Sequence, residues 1–342
     1  MDLTFTRDQE QIRQAFGDLF EAESTTRRVR AAEAAGGFDP ELWARAKDVG
    51  LLDMATTPGA DGASTLDLAL VAEEAGRHLA SIPAVEAMVA ARLLAELAGE
   101  GLAGEGMSQQ ADRVHDELVS FTPRPVQAGL ARVVPGGAVA DAVIALAGDR
   151  LVLLDRPGSA VRAPSGTLGG APVADWTVGA AARTLARGPA ALDRFRRARR
   201  AWLALSAAAL AGLGTSAVQL GADYAKQRKA FGVVISMFQG VSHRLVDAAV
   251  GIDGAELLSW EAAWSLDQPG PSDWLPLTAF YKAGLAAEEA ASVSLHVHGG
   301  YGVSMEYDIQ LYLRRAKTWA LALGDRRRVL RQAADVLYGP AS

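Results

Sequence analysis

The chain has 342 residues, half of them hydrophobic, and is therefore long enough to bury a substantial core divided between two or three domains. Its net charge of −6 and its pI near 5.5 provide no basic surface for nucleic acid or for an anionic membrane. The sequence contains no cysteine, which excludes disulfides, thiolate metal ligands and a cysteine nucleophile.

The first third of the chain has helical patterns. Thr6 followed by Gln9 forms a capping-box pattern, and the apolar residues that come next lie on one helical face. A glycine-rich stretch, residues 58–62, separates further helical patterns at 42–50, 66–80 and 84–97. The amino terminus lacks the basic and apolar pattern of a signal peptide, so we expect a cytoplasmic protein.

In the second region of the chain the helical patterns give way to patterns typical of β strands. Short apolar runs rich in Val and Ile alternate with Pro, Gly and Asp, and they predict strands at 118–122, 140–146 and 150–154. An Arg-rich segment, residues 194–200, closes the region. We interpret it as a solvated helix face or linker, with contact to a phosphate as the alternative.

Four long helical patterns follow, and they predict a helical bundle at 199–228, 238–266, 274–297 and 308–337. The longest apolar stretch, 203–213, is too short to cross about 30 Å of hydrocarbon, so we expect no membrane span. Gly212 and Gly214 indicate close helix packing, because no strand precedes them as a dinucleotide fingerprint requires. We predict a mostly α-helical protein with a small central β domain, divided at 1–115, 116–190 and 191–342.

Two stretches of the last region contain residue types suited to a nucleotide diphosphate. In YAKQRKAFG, residues 224–232, the guanidinium of Arg228 suits a pyrophosphate, Phe231 offers a flat apolar surface and the glycine permits a sharp turn. In HVHGGYG, residues 296–302, the pair Gly299 and Gly300 lets backbone N–H groups approach phosphate closely.

Together these stretches resemble the RxxFG...Q and QxxGGxG...EY...RDAK signatures of acyl-CoA dehydrogenases, in the same order and at about the same separation. Residues 38–43, FDPELW, and 73–77, EEAGR, are similar to stretches in the amino-terminal half of that family. The resemblance implies a helical amino-terminal domain, a central β domain, a carboxy-terminal four-helix bundle and FAD bound between subunits. It also implies that FAD is contacted by Arg228, Phe231, Phe238, Gln239, His296, Gly299 and Gly300.

The sequence departs from the family where the flavin ring and the catalytic base are expected. Residues 121–126, FTPRPV, replace the loop that holds the ring, and Trp176 is either a remnant of a second ring motif or an ordinary buried tryptophan. The two family positions for the Glu base fall on Leu323 and Trp202, and neither side chain can accept a proton. Asp325 is the substitute candidate, although it is shorter and points elsewhere on a helix or turn.

We therefore expect a subunit that lacks its own base and donates half of an FAD site to a second acyl-CoA dehydrogenase subunit. This resembles the short subunits of actinobacterial heterotetramers that act in steroid side-chain degradation. The resemblance implies an acyl-CoA substrate and electron transfer to an electron-transfer flavoprotein. The alternatives are a self-sufficient homo-oligomer that uses Asp325 and a flavin-free scaffold. No metal site is expected, because His296 and His298 diverge on a helix.

Overall fold

The computed structural model describes residues 4–57, 62–99, 107–156, 161–162 and 166–339. The glycine-rich stretch at 58–62 lies, except for Gly62, outside these residues. Seven helices come first: α1 Arg7–Glu23, α2 Thr26–Ala34, α3 Pro40–Asp48, α4 Asp53–Thr56, α5 Thr65–Arg77, α6 Ala84–Gly99 and α7 Met107–Asp116. The predicted capping box is confirmed at the start of α1, where Thr6 and Gln9 exchange side-chain and backbone hydrogen bonds of 3.1 and 3.2 Å.

Strands occupy the middle of the chain. They are β1 Val119–Phe121, β2 Leu130–Val134, β3 Ala142–Ala147, β4 Arg150–Asp155, β5 Val161–Arg162, β6 Ala174–Thr177 and β7 Arg183–Arg187. One sheet has the order β1-β3-β4-β7 and the other the order β2-β6-β5, and all pairs are antiparallel except β1 with β3. The three predicted strands correspond to β1, β3 and β4, which are the ones with continuous buried apolar runs.

The last region contains α8 Gly188–Gln227, β8 Lys229–Ala230, β9 Val233–Val234, α9 Gln239–Leu266, α10 Trp274–His298, α11 Ile309–Ala320 and α12 Arg326–Tyr338. Two predicted boundaries were wrong. α8 begins at Gly188 rather than at residue 199, so the Arg-rich segment is helical. The predicted helix 308–337 is two helices: α11 ends at Ala320, and α12 begins at Arg326 after Gly324, whose φ is +92°, and the N-cap Asp325.

The Arg-rich segment is held by the chain itself. The guanidinium of Arg194 is buried 3.7 Å from a carboxylate of Glu96 on α6. Arg199 donates to the carbonyl of Pro123 at 3.2 Å. These partners favour a structural role for the segment over a phosphate site.

Contact clustering divides the chain into two compact units. The first contains residues 1–27, 69–80 and 203–342, and the second contains residues 28–68 and 81–202. The three-domain division stays a prediction. Together the elements confirm a mostly α-helical protein with small β sheets.

Within the first unit, α8 packs closely on α5. A side chain at Gly212 would place its Cβ 2.1 Å from the carbonyl oxygen of Glu73, so only glycine fits there. At Gly214 the Cβ would lie 2.1 Å from Ile252 of α9. The predicted packing role of these glycines is thereby confirmed. Among the described residues α8 is the one helix whose length and composition suit a membrane span, yet 72% of its apolar window is buried within the protein.

An ionic cluster lies inside the same unit. Glu73 is fully buried and accepts from Arg13 at 3.2 Å, from Arg77 at 2.7 Å and from the indole N–H of Trp260 at 2.8 Å. Burial, together with the charge of Glu73, raises the pKa of Glu256 on α9 to about 8. The EEAGR stretch therefore has a structural explanation, because Glu73 and Arg77 are internal ion-pair partners.

Candidate functional site

Arg228 lies directly after α8 and is exposed to solvent. Its backbone is fixed on both sides, because its N–H donates to Tyr224 and its carbonyl accepts from Ile235, both at 2.8 Å. Its guanidinium carbon lies 5.9 Å from the centre of the Tyr301 ring. In the part of the chain that the structure describes, no carboxylate pairs with this guanidinium. The nearby carboxylate of Asp223 lies 3.5 Å from the ammonium group of Lys226 instead. The charge of Arg228 thus stays available to an external anion.

Phe231 occupies the tip of a short hairpin. Strands β8 and β9 pair so closely that Phe231 and Gly232 form the whole turn between them. Both have positive φ, +52° and +84°, as a type I′ turn requires. The Phe231 side chain is 96% exposed, and its ring meets the edge of Phe238 at 6.2 Å. The hairpin therefore presents an aromatic surface to solvent next to Arg228.

Gly299 and Gly300 provide open backbone at the end of α10. Gly299 adopts φ +62°, and a Cβ built on either glycine would meet no atom within 4 Å. Gly302 differs, because its Cβ would lie 2.5 Å from the carbonyl oxygen of Leu295. The first two glycines thus face open space that a ligand can approach, whereas the third serves packing.

Four aromatic rings connect these segments. Tyr224 stacks on His298 with ring centres 4.3 Å apart. Tyr307 meets Tyr224, His298 and Tyr301 at 6.3, 5.8 and 5.5 Å. We call these four residues the aromatic cluster. It joins the end of α8 to the end of α10 and brings Arg228 and Tyr301 together, and the sequence offered no signal for this contact.

The remaining predicted cofactor contacts are exposed. Phe238 precedes α9 and Gln239 is its first residue. His296 is exposed on α10, whereas His298 is buried and its Nδ1 lies 2.8 Å from the carbonyl oxygen of Ser294. The two histidines diverge as expected. Among the described residues no group of three or more potential metal-ligating side chains occurs.

The two family positions for the base are buried and apolar. Leu323 packs in the interior, and Trp202 is 2% exposed with its indole N–H donating to a carboxylate oxygen of Glu86 at 2.9 Å. Burial raises the pKa of Glu86, and the hydrogen bond from Trp202 opposes that shift. Asp325 is exposed and accepts the backbone N–H of Arg327 at 2.9 Å. The structure thus gives Asp325 a helix-capping role at the start of α12.

The first residues at the position of the flavin-ring loop belong to the core of the β region. Phe121 and Thr122 are fully buried, and Phe121 packs on Phe195 with ring centres 5.6 Å apart. Trp176 is also fully buried and donates to the carbonyl of Gly137 at 2.9 Å. These side chains are used for packing by their own unit.

Comparison with known proteins identifies the class. A model of the acyl-CoA dehydrogenase N-terminal domain matches residues 6–110, and one of the C-terminal domain matches residues 189–337. The chain therefore belongs to the acyl-CoA dehydrogenase family, a family of oxidoreductases that use FAD.

Individual relatives indicate which group of acyl-CoA dehydrogenases the chain is similar to. Acyl-CoA dehydrogenase FadE27 of Mycobacterium tuberculosis is 31% identical over 87% of this chain and 89% of its own length. The ChsE4–ChsE5 complex from Mycobacterium tuberculosis contains a chain that is 26% identical, with a TM-score of 0.86 and 100% of both chains covered. A Tcur3481–Tcur3483 steroid acyl-CoA dehydrogenase is 25% identical, with a TM-score of 0.84 and 96% and 97% of the two chains covered. The chain thus resembles actinobacterial steroid-type acyl-CoA dehydrogenases.

Proposed function

We propose that this chain is a subunit of an FAD-dependent acyl-CoA dehydrogenase and supplies the half of a flavin site that holds the adenosine diphosphate. The observation that most directly supports this proposal is the exposed guanidinium of Arg228, which no carboxylate in the described residues neutralises. A guanidinium offers paired N–H donors to phosphate oxygens, and the open turn at Gly299 and Gly300 lets a diphosphate approach the backbone. The groups present thus fit that half of FAD.

The side chains present in this chain indicate which part of FAD binding and catalysis we assign to it and which to a partner subunit. When bound, FAD supplies the hydride acceptor for α,β-dehydrogenation of an acyl-CoA thioester to the trans-2-enoyl-CoA. In our proposal Arg228, Gly299 and Gly300 hold the diphosphate, while the aromatic and polar neighbours line it: Phe231, Phe238, Gln239 and His296. The partner subunit supplies the ring pocket and removes the α-proton, because Leu323 and Trp202 carry no acid–base group.

The relatives support a heteromeric assembly. One is described as a ChsE4–ChsE5 complex and another as a Tcur3481–Tcur3483 steroid enzyme, so both names join two gene products. We extend this to a partner acyl-CoA dehydrogenase subunit, a steroid-derived acyl-CoA substrate and electron transfer to an electron-transfer flavoprotein. A cytoplasmic location and three domains at 1–115, 116–190 and 191–342 belong to the same proposal.

The test uses co-expression with a partner subunit that has an intact ring loop and Glu base. Replacing Arg228 by Ala should weaken FAD binding by the purified complex by about 10- to 100-fold, the value of one or two charge-assisted hydrogen bonds. The measurement is FAD retained per complex after gel filtration. Arg331→Ala is the matched control, because it removes an equal charge from an exposed position on α12 and should leave the FAD content unchanged.

Two outcomes would decide against the proposal. A complex with Arg228→Ala that keeps its full FAD content would favour the flavin-free scaffold. The chain expressed alone should carry little FAD, so a purified homo-oligomer with a full flavin complement and acyl-CoA oxidation would favour the self-sufficient enzyme.

A further inference from the structure

The aromatic cluster brings together residues that are far apart in the sequence. Tyr224 precedes Arg228 by one helical turn, and His298 precedes Tyr301 by three residues. The stack of Tyr224 on His298, with ring centres 4.3 Å apart, fixes the end of α8 against the end of α10. One turn further along, the Arg228 guanidinium meets the Tyr301 ring at 5.9 Å. The same two chain segments are therefore joined by two neighbouring contacts.

The two contacts differ in burial, and this separates their roles. His298 is buried, so the stack of Tyr224 on His298 is part of the packed bundle. Tyr301 is 49% exposed, and its ring centre lies 5.5 Å from that of Tyr307 and 5.9 Å from the guanidinium carbon of the exposed Arg228. A ring so exposed contributes little to the core, so its main interactions are its contacts with Tyr307 and with the Arg228 guanidinium.

We propose that Tyr301 is a positioning residue for Arg228 in the diphosphate site, an inference that rests on the function proposed above. An aromatic ring attracts a guanidinium through its π face, whereas the N–H donors of the guanidinium point outward in its plane. A guanidinium held by a ring can thus still offer paired hydrogen bonds to phosphate. Holding the long side chain in place before the anion arrives reduces the entropy lost on binding.

The acid nearest to Arg228 in the sequence does not compete with Tyr301 for its guanidinium. The nearest acid in sequence, Asp223, accepts from Gln219 at 2.9 Å and lies 3.5 Å from Lys226. It is therefore engaged on its own helix. Tyr301, rather than a carboxylate, fixes the guanidinium, and this keeps its full positive charge for an incoming anion. A carboxylate in the same place would compete with the phosphate.

The test is a double-mutant cycle in the co-expressed complex, read as the Kd for FAD after the flavin has been removed and titrated back. Tyr301→Ala should raise the Kd by about two- to fivefold, the range expected for one exposed cation–π contact. Tyr301→Phe keeps the ring and should leave the Kd unchanged. In the Arg228→Ala background, Tyr301→Ala should have no further effect, because the residue it positions is gone.

Other results would overturn the inference. If Tyr301→Ala added its full effect to Arg228→Ala, the ring would act on FAD directly. If Tyr301→Phe were as weak as Tyr301→Ala, the hydroxyl rather than the ring would matter. If Arg228→Ala weakened binding while Tyr301→Ala did not, only the positioning role would fail, whereas no effect of Arg228→Ala would remove the proposed function itself. Thermal unfolding of the flavin-free complex should be equal for the parent protein and Tyr301→Phe, since both keep the ring contacts of Tyr301.

Discussion

Phe231 has a backbone conformation that an aromatic side chain rarely adopts. Its φ of +52° costs free energy, and the residue preferred at this position of a type I′ turn is Asn. The exposed ring gains little from packing on its own chain that would offset this cost. Strain of this kind tends to persist where function requires it, which fits a side chain that contacts a bound nucleotide.

Replacing Phe231 by Asn should therefore separate stability from binding. We expect the free energy of unfolding of the isolated chain to rise by about 0.5–1 kcal/mol, because Asn tolerates positive φ. FAD retention by the co-expressed complex should fall. Urea unfolding and flavin absorbance are the two measurements.

Phe231→Tyr is the matched control, since it keeps both the ring and the strain. It should leave stability and FAD retention near their original values. A loss of stability in the Asn variant would contradict the strain argument and would mean that the exposed ring packs on its own chain.

Two substitutions at Asp325 distinguish a helix-capping role from a role as catalytic base. As a helix cap it accepts the N–H of Arg327, and Asn can do the same without a titratable group. Asp325→Ala should lower the free energy of unfolding by about 1 kcal/mol, and Asp325→Asn should not. Neither should change dehydrogenation by the complex. Loss of activity in the Asn variant, with stability retained, would restore Asp325 as a base.

At the scale of elements, the contact of α8 with α5 depends on one missing side chain. Gly212→Ala would place a methyl group 2.1 Å from the Glu73 carbonyl oxygen. Forcing the helices apart should lower the free energy of unfolding by about 1–3 kcal/mol. Gly251→Ala on α9, where no atom lies within 4 Å, should instead raise it by about 0.5–1 kcal/mol. Calorimetry of the isolated chain checks both, and equal effects would contradict the packing assignment.

The ionic cluster makes stability depend on pH. The pKa of Glu256 is about 8 in the folded chain against an ordinary 4.5, so the folded state binds a proton that the unfolded state has lost between these values. The free energy of unfolding should therefore fall as pH rises from about 4.5 to about 8. Glu256→Gln, which stays neutral, should flatten this dependence and add roughly 1–3 kcal/mol at pH 9.

The control lies on the same helix. Glu261 is exposed, and Glu261→Gln should leave the pH dependence as it is. Thermal unfolding between pH 4 and pH 9 gives the comparison. If Glu256→Gln were destabilising at pH 9, Glu256 would be contributing there as a charged ion-pair partner of Arg77.

Periodicity explains which elements were predictable. The buried stripe of α9, from Leu245 to Ser259, repeats over many turns, and its helix was predicted to within one residue. Strands β8 and β9 have two residues each, too few to show a period. The first turns of α8 carry the Arg-rich segment, whose polar composition concealed a buried face.

Some residues of the candidate site could likewise be proposed from the sequence, and others could not. Arg228 and the glycine pair could be proposed as site residues from the sequence because their residue types stand close together in short stretches. The proposed role of Tyr301 could not be, since it depends on a contact between residues more than 70 positions apart that only the folded bundle creates. The capping role of Asp325 was likewise hidden by a helix break that depends on the backbone of Gly324.

At the scale of the whole molecule, the predicted diphosphate contacts and the residues at the ring-loop position belong to different compact units. Every predicted contact to the adenosine diphosphate belongs to the first compact unit, whereas the residues at the ring-loop position belong to the second; of the two predicted base positions, Leu323 lies in the first unit and Trp202 in the second. In the second unit Phe121, Trp176 and Trp202 are buried and pack in its core. Under the function proposed above, a Glu at one of the base positions would therefore not by itself make this chain an independent enzyme.

The hairpin at Lys229–Val234 offers an experimental opportunity because the chain lacks thiols altogether. A cysteine introduced at exposed Lys229 would be unique in this polypeptide, so a maleimide fluorophore or a nitroxide could be attached there without a background of other labels. Its anisotropy or line shape would respond when another polypeptide covers the tip. Assembly could then be followed in real time and without reference to turnover.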